Sequence, residues 1–179
     1  MYNTGDLMIR IKRLSISMLV SFSLLLPAVT AVASEPSKRG PVTNLPLPRY
    51  VSMKASEGNV RRGPSLTHRI DWVFKRRDMP LLITAEHGHW RRVEDRDGQG
   101  GWVHYSLLSG VRTVIIEENM LKMHARPDTT APVSAALEKG VIARLGKCNA
   151  TWCQLKSGGF RGWAPKTNLW GVSETEIRD

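Results

Sequence analysis

Two cysteines are the first residues in this 179-residue sequence whose spacing suggests chemistry. Cys148 and Cys153 are separated by four residues. In an exported protein such a pair is expected to form a disulfide, and closing so short a loop adds about 2 kcal/mol of stability. A redox pair or a metal site is the alternative. Neither is favoured, because the spacing is not Cys-x-x-Cys and no second ligand pair with zinc-finger spacing follows.

The five histidines give only weak evidence for a metal site. His87 and His89 flank Gly88 on a predicted turn, where two imidazoles could approach one ion. No carboxylate or third nitrogen accompanies them, so surface turn residues are the favoured interpretation. The sequence also contains no Gly-x-Ser-x-Gly motif and no phosphate-binding glycine loop that leads into a helix. We therefore expect no enzyme activity, no metal and no cofactor.

Basic side chains are the remaining candidates for a binding site. The chain has 26 Lys and Arg against 16 Asp and Glu, which gives a formal net charge of +10. Neighbouring residues of a strand point to opposite faces, so one arginine of each Arg-Arg pair can contribute to a given surface. A candidate patch in the first half of the chain combines Arg62, Arg76 and Arg92 with Tyr105. Whether the three arginines share a face depends on the register of three strands.

The first 33 residues have the composition of a secretory signal peptide. Three bases at positions 10–13 precede an apolar run from Leu14 to Thr30, and Ala31-Val32-Ala33 is a small-residue cleavage site. Serines and Pro27 interrupt the run, which disfavours a membrane-spanning anchor. Cleavage removes three bases and one acid, so the net charge falls from +10 to +8.

This leader predicts a periplasmic or secreted protein with no stable membrane span after cleavage. Export makes nucleic acid an unsuitable partner for the positive charge. Anionic envelope polymers and lipid headgroups are the partners expected instead. The alternative is that the charge only keeps the protein soluble.

Two stretches of the remaining chain follow one plan. Trp90 and Trp152 each begin a strand that leads through a glycine turn to a Gly-Trp pair, Gly101-Trp102 or Gly162-Trp163. Asp97-Gly98 predicts a two-residue hairpin turn, because such a turn needs the positive φ that glycine adopts. Short strands, frequent glycine turns and almost no helical periodicity predict an all-β protein of two small barrels. Large aromatics fill small interiors, so Trp102 and Trp163 are predicted to be structural core residues.

The repeat also predicts the domain boundaries. Residues 1–33 are the signal peptide, 34–48 a proline-rich linker, 49–110 the first barrel, 111–172 the second barrel and 173–179 a tail. Residues 65–71 and 129–137 are predicted to be equivalent loops. The connection Gly110-Val111-Arg112 is so short that the two barrels are expected to touch.

The run from Asn59 to Pro64, the hairpin that begins at Trp90 and the string Gly101-Trp102-Val103 resemble the bacterial SH3-like domain. The resemblance covers nearly the whole mature chain. In the stretches 45–52, 71–74 and 102–110, the chain is similar to a proteobacterial group of secreted tandem proteins of unassigned function. The resemblance implies a partly open barrel of about five strands in each unit and a role in the cell envelope, where some relatives target enzymes to the cell wall. The second unit has His124-Ala125-Arg126-Pro127 in place of the usual Asn-x-Arg-x-Gly-Pro. The two copies therefore need not bind the same ligand.

Two classes of function remain. The first is a non-enzymatic envelope module that recognises peptidoglycan or another anionic envelope component. The second is an assembly or interaction factor that binds an envelope protein through an SH3-like groove. A hydrolase is less favoured than either, because the sequence shows no catalytic constellation.

Overall fold

A computed structural model describes residues 38–179 of the chain. The predicted signal peptide and the first four residues of the predicted linker lie outside the described residues. Across residues 38–179, no helix has the length and apolar character needed to cross a membrane.

Seven antiparallel strands form the first barrel. They are β1 (Arg49–Met53), β2 (Gly58–Arg61), β3 (Ile70–Phe74), β4 (Pro80–His87), β5 (Trp90–Glu94), β6 (Gly100–His104) and β7 (Leu108–Ser109). Their order across the sheet is β3-β2-β6-β5-β4-β1-β7, and a 3-10 turn at Tyr105–Leu107 joins β6 to β7. Side chains alternate along the strands, so Val60, Val93 and Val103 point inward and are fully buried.

The second barrel repeats this arrangement strand by strand. Its strands are β8 (Thr113–Ile116), β9 (Leu121–His124), β10 (Val133–Leu137), β11 (Ile142–Cys148), β12 (Trp152–Ser157), β13 (Phe160–Pro165) and β14 (Leu169–Trp170). The order β10-β9-β13-β12-β11-β8-β14 matches the first barrel position for position. Met123 and Leu155 are fully buried in its core. The predicted all-β fold of two small SH3-like barrels is confirmed.

The two tryptophans of the Gly-Trp pairs are not buried, so that prediction is wrong. Trp102 and Trp163 are only half-buried. Their neighbours Val103 and Ala164 are fully buried and occupy the inward positions of β6 and β13. Because successive side chains alternate between the faces of a strand, each tryptophan lies on the outer face. Aliphatic and methionine side chains fill the interiors instead.

Two local predictions need correction as well. The turn between β5 and β6 is longer than two residues, since it spans residues 95–99. Within it, the Asp95 carboxylate accepts hydrogen bonds from the amides of Asp97 (3.0 Å) and Gln99 (2.8 Å). Gly98 within it has a φ of 76°, so glycine keeps its predicted role in the turn. The second half of the predicted loop 129–137 is strand β10.

Residues 38–48, predicted to be part of a linker, pack against the first barrel. The Gly40 amide donates to the Leu45 carbonyl (2.8 Å) and the Asn44 amide donates to the Gly40 carbonyl (2.9 Å), which folds the segment into a tight turn. Leu47 then enters the core of the first barrel and is 6% exposed. The proline-rich composition gave no sign of this docking, which depends on partners far along the chain.

The C-terminal residues pack on the second barrel in a comparable way. Cys148 and Arg178 exchange two backbone hydrogen bonds of 2.7 and 3.0 Å. The Lys166 ammonium donates to the carbonyl oxygens of Glu174 (3.1 Å) and Glu176 (2.5 Å). Residues 38–48, which we call the N-terminal segment, and the C-terminal tail are therefore each held by the barrel next to them.

The two barrels touch, as the short connection predicts. The hydroxyls of Ser52 and Thr113 lie 2.7 Å apart, and the Thr113 hydroxyl donates to the Asp78 carbonyl at 2.7 Å. The Arg112 guanidinium lies 5.5 Å from the centre of the Tyr50 ring. These contacts join the start of β8 to β1 and to the chain that precedes β4.

The predicted disulfide is confirmed: Cys148 and Cys153 are directly opposed on β11 and β12 and are bonded to each other. Replacing both residues with serine should lower the free energy of unfolding by about 2 kcal/mol, because the cross-link restricts only a short loop of the unfolded chain. Thermal and denaturant unfolding measure this effect, and a reductant should reproduce it in the native sequence. Two reactive thiols in freshly purified native protein would contradict the assignment.

Candidate functional site

A groove on the outer surface of the first barrel is the candidate site. It comprises two adjoining cavities of about 250 and 600 Å³ that share Leu66, Trp90 and His104. The remaining lining comes from β2, the loop before β3 and the turns beside β5 and β6: Glu57, Gly58, Asn59, Arg61, Ser65, Thr67, His89 and Leu107. We call this the first-barrel groove.

Four aromatic rings form a cluster at one side of the groove. His104 is the central ring, with Tyr105 4.9 Å, Trp90 5.6 Å and His89 5.8 Å from it between ring centroids. Tyr105 also lies 5.6 Å from His89. The Tyr105 side chain is 49% exposed, so the cluster presents ring faces to solvent. Such exposed rings can pack against apolar faces of a ligand.

Backbone contacts fix the positions of these rings. The Tyr105 amide donates to the His89 carbonyl at 2.9 Å, which joins the 3-10 turn to the turn before β5. His104 caps that 3-10 turn, since its Nδ1 lies 2.7 Å from the Ser106 hydroxyl and 3.4 Å from the Ser106 amide. Trp90 and His104 are paired residues of β5 and β6 and so lie on one face. The cluster is thus built from regular strand pairing and one capped turn.

A buried ion pair supports the cluster from below. The Arg91 guanidinium lies 5.9 Å from the centre of the Tyr105 ring and donates to the carbonyls of Gly88 and Trp90, each at 2.8 Å. Its Nε lies 3.6 Å from the carboxylate of Glu86, the residue opposite it on β4. Arg91 is 7% exposed. The position of Tyr105 is therefore linked to a charge pair inside the protein.

Glu86 also anchors the N-terminal segment. Its carboxylate accepts hydrogen bonds from the amides of Val42 (3.1 Å) and Thr43 (2.9 Å), from the Thr43 hydroxyl (2.7 Å) and from Arg49 (2.6 Å). Burial alone would raise the pKa of this carboxyl. The hydrogen bonds from Thr43, Arg49 and Val42 outweigh burial and lower the pKa to about 2. Glu86 is therefore ionised at neutral pH and joins the N-terminal segment to the support of Tyr105.

Arg61 of β2 also lines the groove. Its guanidinium donates to the carbonyls of Leu66 (2.9 Å) and His68 (2.7 Å), so the long side chain spans the space below the loop before β3. The equivalent residue of the second barrel is His124, since Arg61 pairs with Trp102 as His124 pairs with Trp163. His124 is buried. Its Nδ1 lies 2.9 Å from the Ala131 carbonyl oxygen in the equivalent loop.

The second barrel lacks the ring cluster. Trp152 corresponds to Trp90, and its ring meets the buried His124 edge-on at 5.8 Å. At the positions of His104 and Tyr105 the second barrel has Pro165 and Lys166. Lys166 is buried under the C-terminal tail. The second barrel therefore presents no equivalent aromatic groove.

The structure separates the four predicted binding residues. Tyr105 belongs to the ring cluster. Arg92 is paired with Trp102 and lies on the same face of the sheet as the next pair, Trp90 and His104. Arg62 lies 3.4 Å from the Asp71 carboxylate, and Arg76 donates to the Gly140 carbonyl of the second barrel at 3.0 Å. Neither Arg62 nor Arg76 lines the groove, so the predicted three-arginine patch is wrong. The groove contains Arg61 instead, because β2 turns that member of its Arg-Arg pair toward it.

The predicted binding residues do not include Trp90, His89 or His104. From the sequence, His89 is expected to be a surface turn residue, and Trp90 is expected only to begin a strand. The alternation of β5 offered a signal, because a buried Val93 places Trp90 and Arg92 on the outer face. The contact between the turn before β5 and the 3-10 turn had no sequence signal, since it joins residues that the sheet brings together.

The described residues show no catalytic arrangement. The Ser106 hydroxyl and His104 form the nearest approach to a nucleophile and base, but within residues 38–179 no carboxylate is paired with that imidazole. Both cysteines are in the disulfide. No cluster of three or more potential metal-ligating side chains occurs in this part of the chain. The groove can offer ring faces, a guanidinium and amide or carboxylate hydrogen bonds.

A family model described as a bacterial SH3 domain matches residues 54–110 and, a second time, residues 117–171. The chain belongs to the bacterial SH3 domain family. The resemblance stated from the sequence is thereby confirmed. Bacterial SH3 domains are often cell-wall binding modules.

Two solved structures are similar to this bacterial SH3 protein. NlpC2 from Trichomonas vaginalis matches with 10% identity and a TM-score of 0.33 over 69% of this chain and 48% of that chain. NlpC1 from the same organism matches with 10% identity and a TM-score of 0.33 over 81% of this chain and 50% of that chain. The chain thus spans about half the length of these proteins. No curated protein matches it.

Proposed function

We propose that this protein is an exported, non-enzymatic binding module of the cell envelope, and that the first-barrel groove recognises peptidoglycan or another anionic envelope component. The observation that carries the proposal is the exposed ring cluster around His104 beside Arg61. Membership of a family that often binds cell walls supports it. The alternative is an envelope protein as the partner in the same groove.

The composition of the groove suits a polymer with apolar faces and anionic groups. The rings of Trp90, His104 and Tyr105 offer flat surfaces, while Asn59 and Arg61 supply a few polar groups that can fix orientation. Residues 49–110 carry 11 Lys and Arg against 7 Asp and Glu, so the surrounding field attracts anions. Binding should weaken as salt rises, because exposed charges are screened within about 10 Å at 0.1 M.

Tyr105→Ala should weaken binding to purified sacculi about tenfold, the effect expected from losing one exposed aromatic contact of the ring cluster beside the groove. The measurement is co-sedimentation of the full chain with sacculi at low salt. Phe160→Ala is the matched control, because Phe160 is 56% exposed but lies on the second barrel. The control should bind like the native protein.

Three outcomes would overturn parts of this proposal. Equal loss in both variants would remove the groove as the site. No sedimentation with sacculi, with the protein folded, would shift the proposal to an envelope protein partner. Release of soluble fragments from sacculi by the pure protein would show that it is an enzyme.

Export is the part of the proposal that the N-terminal sequence supports. Expression in a bacterial host should yield periplasmic protein that begins at Ser34, since the charged, apolar and small-residue order of the first 33 residues is that of a cleaved leader. Intact mass measurement of the periplasmic fraction tests this. Periplasmic protein that keeps Met1 would contradict cleavage.

A further inference from the structure

Three cations form a row across the second barrel, away from the first-barrel groove. Arg144 on β11 is opposite Lys156 on β12, and Lys156 is opposite Arg161 on β13. Directly opposed residues of antiparallel strands point to the same face. All three are exposed, and together with Gln154 they line a shallow cavity of about 110 Å³. We call these three residues the cation row.

The cation row is not explained by stability. Like charges directly opposite each other in a sheet destabilise it. Within residues 38–179, none of the three side chains lies within 4.0 Å of a carboxylate, and none makes a hydrogen bond to another protein group. The three cations thus remain available for a ligand with negative charge.

The first barrel provides an internal comparison. The equivalent row there is Leu82, Glu94 and Gly100, which are paired in the same order across β4, β5 and β6. The hairpin that follows Glu94 carries Asp95 and Asp97. The equivalent hairpin of the second barrel carries no acid. The cation row therefore belongs to the second barrel alone and does not follow from the repeated fold.

An exposed aromatic side chain lies at the tip of the hairpin that carries Lys156 and Arg161. Phe160 follows Gly158 and Gly159, whose φ values of 57° and 85° form a tight turn, and it immediately precedes Arg161. It is 56% exposed at the tip of the β12–β13 hairpin. By strand alternation the Phe160 and Arg161 side chains leave the hairpin on opposite faces, so the ring projects from the tip while the cations lie on the strands behind it. A bilayer that meets this tip can take the apolar ring into its interface and contact the long cationic side chains at the headgroups.

We propose that the cation row and Phe160 form a second binding site, which docks the protein on an anionic lipid bilayer. The guanidinium and ammonium groups contact lipid phosphates, the cavity at Gln154 receives one headgroup phosphate, and the Phe160 ring enters the interface. The site is independent of the first-barrel groove. It shares no residue with that groove.

The charge and the ring together distinguish a bilayer from a soluble phosphate. Three cations alone fit either partner, because both present phosphate oxygens. A soluble phosphate offers no apolar phase to the ring, whereas a bilayer interface does. Phe160→Ala should therefore weaken binding to vesicles about tenfold and leave binding to polyphosphate unchanged.

The test is flotation of the full chain with vesicles of phosphatidylglycerol and phosphatidylcholine, compared with phosphatidylcholine alone. The variant Arg144→Gln/Lys156→Gln/Arg161→Gln should bind the anionic vesicles about 100-fold more weakly, since each cation near such a surface contributes on the order of 1 kcal/mol. The matched control is Lys75→Gln/Arg77→Gln/Lys139→Gln, which removes the same charge from exposed positions elsewhere. It should keep most of the binding. All proteins share the same N-terminal residues, so differences between them come from the substituted positions.

Several results would overturn the proposal. Equal loss in the two triple variants would show attraction by net charge alone. Failure of the native protein to float with anionic vesicles at low salt would remove the membrane as partner. Binding to polyphosphate without binding to vesicles would make the ligand a soluble phosphate. Because Tyr105→Ala should leave flotation intact, failure of the groove proposal and failure of this one are separately visible.

Discussion

Glu86→Ala is expected to lower the free energy of unfolding by about 3 kcal/mol, because removing one partner of a buried ion pair leaves the other charges uncompensated. The carboxylate is fully buried and pairs with Arg49 and Arg91. The same substitution removes the acceptor that holds the amides of Val42 and Thr43. Denaturant unfolding measures the loss, and hydrogen exchange at residues 40–45 reports release of the N-terminal segment.

Glu94→Ala is the matched control for Glu86→Ala. Glu94 lies on the adjacent strand β5, is only half-buried and has no ion pair within residues 38–179. Its removal should change the free energy of unfolding by no more than about 0.5 kcal/mol. A similar loss in both variants would contradict the role assigned to the buried pair.

The acid response of the native protein gives a second readout of Glu86. Its pKa is lowered from 4.5 to about 2 in the folded protein, so its contribution to stability is complete above pH 4.5 and is lost as the pH falls toward 2. Protection of residues 40–45 should decline through that range. Glu86→Gln should flatten this part of the pH dependence, and an unchanged profile would show that another carboxylate controls it.

Loss of the buried ion pair should also weaken ligand binding. Arg91 lies against Tyr105 and is held partly by Glu86, so Glu86→Gln should weaken sacculus binding without touching any groove residue. The position of the Tyr105 ring is thus linked through Arg91 to the carboxylate that anchors the N-terminal segment.

Gly101→Ala is expected to destabilise the protein by about 3 kcal/mol, at the upper end for overpacking, because backbone blocks the added methyl group. A Cβ at Gly101 would lie 2.7 Å from the Arg61 carbonyl oxygen and 2.9 Å from Val60 Cγ1. Gly162, its equivalent, would place a Cβ 2.7 Å from Met123 Cβ. Each glycine allows the strand of its Gly-Trp pair to approach the neighbouring strand that completes the barrel. Thermal and denaturant unfolding of both alanine variants measure the cost.

Gly110→Ala is the control, since a Cβ there would meet no atom within 4 Å and the residue does not have a positive φ. This substitution should be neutral or slightly stabilising. The two destabilised variants should differ in function. Gly101→Ala displaces Arg61 and should weaken sacculus binding, whereas Gly162→Ala acts in the second barrel and should not. Equal stability of all three variants would contradict the close approach of the strands.

The repeated motif was readable in the sequence because it rests on local chemistry. Glycine at a turn, alternation of apolar residues and the spacing of two cysteines in one hairpin each depend on neighbours along the chain. These patterns predicted an all-β fold of two barrels and the bond between Cys148 and Cys153, and both are confirmed. Strand β10 was missed because it is an edge strand with Leu137 as its one buried residue, so it lacks a regular apolar alternation.

Which side chains meet was decided by tertiary structure. Trp102 and Trp163 look like core residues by size, but the pleat of β6 and β13 turns them outward because Val103 and Ala164 take the inward positions. Residues 38–48 look like a linker in the sequence. In the fold they are held by Glu86, on a strand far along the chain, whose buried carboxylate accepts a hydrogen bond from the Thr43 amide. Arg62, Arg76 and Arg92 look like one patch, yet strand register leaves only Arg92 on the face of the rings, and Arg61 enters the groove. The sequence alone determined the two repeated barrels, because their patterns depend on residues that are neighbours along the chain. The groove and the cation row depend instead on the register of strands that are distant in sequence.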